Sequence, residues 1–360
     1  MFERQDISEM AGYVPGAQPD GPVVAKLNTN ENPFPPAPAV IAALRVIEAD
    51  ALRRYPDPMA RGFRQAAAAL HGVTPEHVIA TNGGDELLRL AFTTFLEPGG
   101  VVGIAEPGYS LYPVLAAIHG CRLCSVPLAA DWAPAAGIAD AWNAAGARLG
   151  LLVNPQAPSG RLDPVAVLAE VARGFRGVLL VDEAYVDFVD PVLGHDSLSL
   201  VRTLPNVLLL RTMSKGYSLA GLRFAYGVGA PDLIAPMLTK TKDSYNVDAV
   251  SQRLAETALR HRDHAAAGWA LVRDERARLA RELGARGFDC LASQTNFLLT
   301  TVPGLAAGGA QALYRGLSAR GVFVRWFDQE RLRDRLRITI GTPAENDALL
   351  SAIDELMRPA

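Results

Sequence analysis

Five short apolar runs, VIA at 78–80, VVGIA at 101–105, LGLLVN at 149–154, GVLLVDEAY at 177–185 and VLLLRT at 207–212, alternate with longer periodic segments such as LLRLAFTTFL and VAVLAEVARGF. Near-continuous Val, Ile and Leu strands separated by helices predict an α/β fold, with a mainly parallel mixed sheet covered by helices. From about residue 248 the pattern changes to long helical segments over roughly 248–287, then to the strand candidates FLLTT, VFVRWF and LRITI, which predict a smaller α+β domain. The proline cluster NPFPPAP at 32–38 cannot begin a sheet, so the N-terminal segment is expected to wrap across the surface before a helix at 38–49. A chain of 360 residues exceeds what one growing core accommodates. The expected division is an N-terminal segment at 1–45 packing with the small domain, a large domain at 46–250 and a small domain at 251–360.

A net charge of -3 gives no broad footprint for nucleic acid or an anionic membrane, so small-molecule chemistry is the default. Every apolar run is far shorter than a membrane span, and the start MFERQDISEMAGYVPG carries acids without a continuous apolar core, which predicts a cytoplasmic protein. Cys121 and Cys124 lie in CRLCSV, which alternates like a strand and not like a metal knuckle. His261 and His264 have helical spacing but no completing ligands, so no metal is expected and they read as a solvated face. The arginines of RDERARLARELGAR are expected in exposed ion pairs, and Trp132 and Trp142 are expected to pack within their Ala-rich stretch.

In an open parallel sheet, ligands bind outside the carboxyl ends of the strands. The polar residues there are NGGDE at 82–86, EPGYS at 106–110, NPQAPSG at 154–160, DEAY at 182–185 and MSK at 213–215. Gly83 and Gly84 precede a helix whose first N–H groups can cradle a phosphate, although an ordinary strand-to-helix turn reads the same. Asp182 ends an apolar strand, where a buried carboxylate needs a partner; a pyridinium N–H is one and a helix cap another. Asn154 is held extended by Pro155, and its amide could donate to a phenolate oxygen together with Tyr185, while Tyr109 could stack on an aromatic ring. Taken singly, each is also explained by turn chemistry.

Lys215 lies in TMSKGYSLAGLRFAYGVG at 212–229, with Arg223 eight positions on. An amine buried in such an apolar, glycine-punctuated segment is costly unless its pKa falls or it becomes covalently attached, as a Schiff-base lysine does; a surface lysine at a helix start is the alternative. Arg337 sits in strand-like LRITIG, so its guanidinium must meet an anion or stay buried unpaired.

In this order, NGGDE, EPGYS, NPQAPSG, VDEAY and TMSKGYSLAGLR resemble the fold-type I pyridoxal-phosphate aminotransferases. YVPG at 13–16, LNTNENPFPP at 27–36, RYPDP at 54–58, SYNVDAVSQ at 244–252, QTNFLL at 294–299 and LRITIGT at 336–342 resemble the histidinol-phosphate aminotransferase branch, so the likeness covers nearly the whole chain. The resemblance implies pyridoxal 5′-phosphate as cofactor, with Lys215 joined to its aldehyde and moving the substrate proton, Asp182 on the pyridine nitrogen, Asn154 and Tyr185 on the ring oxygen, and Tyr109 against the ring. It implies that Gly84, Asp85, Ser214 and Arg223 hold the phosphate, with Tyr55 reaching it from the second subunit of a homodimer. Arg337 is implied on a substrate carboxylate or phosphate, with Arg325, Tyr13 and Asn154 also facing the substrate. For Arg325, an edge-strand arginine facing water is the alternative.

The implied reaction exchanges an amino group between glutamate or 2-oxoglutarate and histidinol phosphate, a step of histidine biosynthesis. An aromatic amino-acid aminotransferase and an O-phospho amino acid decarboxylase on the same scaffold are the alternatives. The usual family loop NPNNPTG is NPQAPSG here, the family PYN is Ser244, Tyr245 and Asn246, and Trp326 follows Arg325. These departures bear on substrate choice.

Overall fold

The computed structural model describes residues 2–16, 18, 19, 21–304 and 308–358. After β1 (Ala25–Lys26), seven strands build the main sheet: β2 (Val78–Thr81), β3 (Val101–Glu106), β4 (Arg122–Pro127), β5 (Ala147–Val153), β6 (Val178–Asp182), β7 (Val207–Thr212) and β8 (Ala225–Gly229). Their spatial order is β2-β8-β7-β6-β5-β3-β4. Neighbours pair in parallel except β8, which runs antiparallel to β2 and β7. The five apolar runs are five of these strands and CRLCSV supplies most of β4. The strand they do not announce is β8, whose AYGVG carries glycines for a packing reason: a Cβ on Gly227 would stand 3.0 Å from both Ile79 and Leu87.

Helices cover both faces, so successive residues of one strand enter opposite cores. Leu179 and Val181 of β6 join one apolar cluster while Leu180 joins the other. Each such leucine, fully buried, contributes roughly 1.5–3 kcal/mol. Trp142 is fully buried, and its indole lies over Gly103 and Gly150, register partners in β3 and β5, where added Cβ atoms would come within 2.5 Å and 2.7 Å of the ring. It therefore packs on the main sheet, beyond its own Ala-rich stretch.

From residue 249 the chain forms helices Ala249–Arg260, Arg262–Ala285, Gly309–Ala319 and Pro343–Leu356 and the strands β9 (Asp289–Cys290), β10 (Phe297–Thr301), β11 (Val322–Phe323) and β12 (Arg335–Thr339). A three-stranded sheet has the order β12-β10-β9, and β11 pairs with β1 in parallel. The helix expected over 38–49 runs Pro38–Arg45, and a separate 3₁₀ turn follows at Ala49–Arg53. The β-branched pair Val46 and Ile47 separates the two. Arg278 and Arg286 make the expected ion pairs, but Arg276 is buried and donates to the carbonyls of Phe188 and Thr295. Among the described residues no helix is long and apolar enough to cross a membrane.

Candidate active site

The carboxyl ends of β5, β6 and β7 face β12 and the N-terminal segment across a cavity of about 540 Å³. All the residues selected from the sequence line it except Asn154 and Tyr55.

Lys215 follows β7 at the floor of the cavity, half-buried, and its Nζ donates to the Thr29 carbonyl at 2.9 Å. Burial, reinforced by the nearby positive charge of Arg337, lowers its pKa to about 8. A substantial neutral fraction at physiological pH makes this amine a nucleophile and a base. Its backbone is held from outside the main sheet: Asn32 Nδ2 donates to the carbonyls of Lys215 and Gly216 at 3.1 Å and 3.2 Å, and Trp269 Nε1 donates to Gly216 at 2.6 Å. The Asp187 carboxylate lies so close behind Gly216 that no Cβ fits there.

Asp182, at the end of β6, is only 7% exposed. One carboxylate oxygen accepts the Ala184 N–H at 3.0 Å and the other accepts the Tyr112 hydroxyl at 3.0 Å. Burial outweighs these bonds and raises its pKa to about 6, so a cationic N–H partner in the cavity would be strongly favoured. Tyr112 was absent from the sequence reading. Its signal is helical spacing, three residues beyond Tyr109 with both rings turned to the same place, 5.6 Å apart at 84°.

Asn154 departs from expectation. Its amide is fully buried, with Nδ2 donating to the Asp163 carbonyl at 3.2 Å and Oδ1 accepting the Asp163 N–H at 2.8 Å. Both ends of the amide close the 154–163 loop, and Asn154 is not among the residues lining the cavity. Gln156, where the loop departs from the family pattern, also turns inward: Oε1 accepts the Ser159 N–H at 2.8 Å and Nε2 donates to the Pro107 carbonyl at 2.8 Å. It joins this loop to the one carrying Tyr109. Tyr185 does line the cavity, and its hydroxyl accepts from Asn30 Nδ2 at 2.9 Å.

One end of the cavity suits a phosphate. Helix Gly84–Phe95 begins there after Gly83, whose φ of +78° a residue with a Cβ would strain to adopt, and the Arg223 guanidinium lies against that glycine. The helix start brings unpaired N–H groups and the positive end of the dipole, with Ser214 beside them. The Asp85 carboxylate sits 3.6 Å from Arg223 and accepts the Tyr109 hydroxyl at 3.4 Å. An acidic side chain repels an anion, so Asp85 can contribute through its backbone N–H.

At the other end, β12 carries Arg337, which exchanges backbone hydrogen bonds of 3.0 Å and 2.8 Å with Arg325. Arg337 Nη2 donates to the Asn28 carbonyl at 3.1 Å, its buried Nε has no partner among the described residues, and its guanidinium lies 5.3 Å from the Phe297 ring and 5.5 Å from that of Phe327. Burial and the charge of Arg325 lower the Arg337 pKa. Arg325 faces the cavity, stacked 5.3 Å over Phe327, and not bulk water. Among the described residues neither arginine is ion-paired with an acid. Tyr13 meets Tyr109 edge to face at 5.8 Å. Tyr55 lies outside this cavity, 81% exposed and stacked on Tyr245 at 4.4 Å.

Residues 22–353 match the family model for aminotransferase class I and II, and the chain belongs to that family. Histidinol-phosphate aminotransferase 1 of Nostoc sp. is 41% identical over 358 residues, covering 99% of this chain and 98% of the relative. The histidinol-phosphate aminotransferase of Rippkaea orientalis is 38% identical, covering 98% of each. The crystal structure of histidinol-phosphate aminotransferase from Sinorhizobium meliloti in complex with pyridoxal 5′-phosphate has a TM-score of 0.89 at 28% identity, covering 99% of this chain and 98% of that one. An aspartate aminotransferase variant from Thermus thermophilus shares the fold, with a TM-score of 0.79 at 21% identity and 98% of this chain covered. The fold is that of the fold-type I aminotransferases.

Proposed function

We propose that this chain is a pyridoxal-phosphate-dependent aminotransferase exchanging an amino group between glutamate or 2-oxoglutarate and histidinol phosphate or its oxo counterpart, imidazole acetol phosphate. The observation that carries this reading is one cavity holding a lysine of lowered pKa, a buried carboxylate of raised pKa and two arginines that have no acidic partner among the described residues. Pyridoxal phosphate fits the residues present: an amine for its aldehyde, a carboxylate for its ring nitrogen, a helix start with Arg223 for its phosphate, and the cavity-lining Arg337, whose buried Nε has no partner among the described residues, left for a substrate anion.

Bound there, the cofactor supplies a conjugated ring that takes up the electron pair left when the substrate α-carbon loses its proton. Lys215 would hold the aldehyde and, once the substrate amine has displaced it, would carry the α-proton on Nζ from the substrate α-carbon to the cofactor's C4′. Asp182 accepts a hydrogen bond from the ring N–H and keeps the ring protonated. Tyr109 covers the ring, and Tyr185 donates to the ring oxygen. Gly84, the Asp85 N–H, Ser214 and Arg223 hold the phosphate. Arg337 and Arg325 bind the substrate's anionic group, and Tyr13 closes over its side chain. Asn154 serves by closing its loop.

The proposal includes a cytoplasmic homodimer in which Tyr55 reaches the phosphate of the partner's site, and a division of the chain at about residues 45 and 250. The aromatic walls of Tyr13, Tyr109 and Phe327 also suit a phenyl ring, which keeps an aromatic amino-acid aminotransferase as the second reading. Turnover with 2-oxoglutarate on histidinol phosphate and on phenylalanine separates them. Activity on phenylalanine alone overturns the first reading, and carbon dioxide release without glutamate formation overturns both.

A further inference from the structure

We propose that Asn30 is a positioning residue whose side-chain amide commits the Tyr185 hydroxyl to donate into the cavity. This rests on reading the cavity as the cofactor site, where the acceptor is the ring oxygen. Asn30 is 155 residues away in sequence, only 1% exposed, and held at a left-handed φ of 56°.

The hydrogen bonds along this contact run in one direction, from Thr339 through Asn30 to Tyr185. Thr339 Oγ1 accepts the backbone N–H of Asn30 at 3.0 Å, so its single hydroxyl proton is free to go elsewhere, and it lies 3.0 Å from Asn30 Oδ1. A hydroxyl can donate only once, and Oδ1 can only accept. With Thr339 donating to Oδ1, Nδ2 faces Tyr185, 2.9 Å from its oxygen. The Asn30 backbone is anchored in turn, since its carbonyl accepts from Asn296 Nδ2 at 3.0 Å.

Tyr185 then has one lone pair filled by an N–H donor, and its own proton must point away from Asn30. Burial raises the Tyr185 pKa, so the hydroxyl keeps that proton. Among the described residues no protein acceptor takes it, and the tyrosine lines the cavity. The ring cannot swing aside, because it packs edge to face on Phe297 at 5.0 Å and 88°. Without Asn30, the hydroxyl could rotate to accept instead of donate. The asparagine thus acts on the cofactor through Tyr185, without touching it.

The test uses the full chain reconstituted with pyridoxal 5′-phosphate and follows the pH midpoint of its visible absorbance. A donor on the ring oxygen removes negative charge beside the titrating Lys215 nitrogen and lowers that midpoint, so losing the donor raises it. Tyr185→Phe is expected to raise the midpoint by about 0.5 to 1 unit, the scale of one hydrogen bond. Asn30→Gly, which tolerates the left-handed backbone, is expected to reproduce a good part of that rise, and to add nothing in the Tyr185→Phe background. Should Asn30→Gly fail to fold, Thr339→Val frees the amide and carries the same expectation. An unchanged midpoint in the folded variant, or an equal shift with and without Tyr185, overturns the proposal. Wild-type protein that gains no visible absorbance fails at the earlier step, the cofactor reading itself.

Discussion

The hydroxyl of Tyr112 donates to Oδ2 of Asp182 at 3.0 Å, a contact between residues 70 apart in sequence. The carboxylate at the end of β6 is thus supported from a helix beyond β3, yet remains short of compensation, because burial still raises its pKa from 3.8 to about 6. That imbalance has consequences for stability as well as for catalysis.

A carboxyl whose folded pKa lies above its unfolded value binds its proton more tightly in the folded state. The stability it lends is present at low pH and is lost as pH rises from about 4 to about 6. Asp182→Asn is therefore expected to stabilise the cofactor-free protein at pH 8 by on the order of 2 kcal/mol, and to change little near pH 4. Urea denaturation at the two pH values measures it. With cofactor present, the same variant is expected to lose at least a hundredfold in kcat/KM, since a neutral amide cannot hold the ring protonated.

Lys215 reacts with an aldehyde only when neutral. With its pKa lowered to about 8 by burial, the rate of pyridoxal phosphate capture by the cofactor-free protein is expected to climb about tenfold per pH unit below 8 and to level off above it. Stopped-flow absorbance gives the profile, and Lys215→Ala should show no capture. A plateau reached only near pH 10 would mean an ordinary exposed amine.

In the proposed site, Arg337 and Arg325 present two positive charges to one anion. Arg337→Ala is expected to cost about a hundredfold in kcat/KM, appearing mainly in KM, and Arg337→Lys to recover little of it because an ammonium cannot fork onto a carboxylate or phosphate. Arg325→Ala should raise KM for histidinol phosphate more than KM for glutamate. Steady-state kinetics of the two half-reactions distinguishes the arginines.

Tyr55 stands outside its own chain's cavity, so its proposed role requires a second subunit. Lys215→Ala and Tyr55→Ala are each expected to be impaired as pure proteins. Mixed dimers should regain activity, since one of their two sites then combines an intact lysine with an intact tyrosine. Co-expression with two affinity tags provides the measurement; no recovery in the mixed species removes Tyr55 from the site.

The main sheet was largely legible because its signal is local. Each apolar run is one strand; Asp182 ends its strand and Tyr185, Ser214 and Lys215 follow theirs by two or three residues, so chain direction alone carries them to the cavity. The antiparallel β8 escaped because its glycines answer to Ile79 and Leu87 across the sheet. The surroundings of Asn154 were not legible for a related reason: its place beyond β5 is local, but its amide also meets Asp163 in the returning loop.

What the sequence by itself determined is the order of strands and helices, the residues at the carboxyl ends of those strands, and the charge types brought there. The tertiary structure alone decided which groups meet: Tyr112 with Asp182, Asn30 with Tyr185, Asn32 and Trp269 with the backbone beside Lys215, and Arg276 with buried carbonyls. The physical reason is range. Periodicity reports which face of an element is buried, whereas a hydrogen bond or a pKa depends on atoms within a few ångströms, contributed by segments up to 309 residues apart.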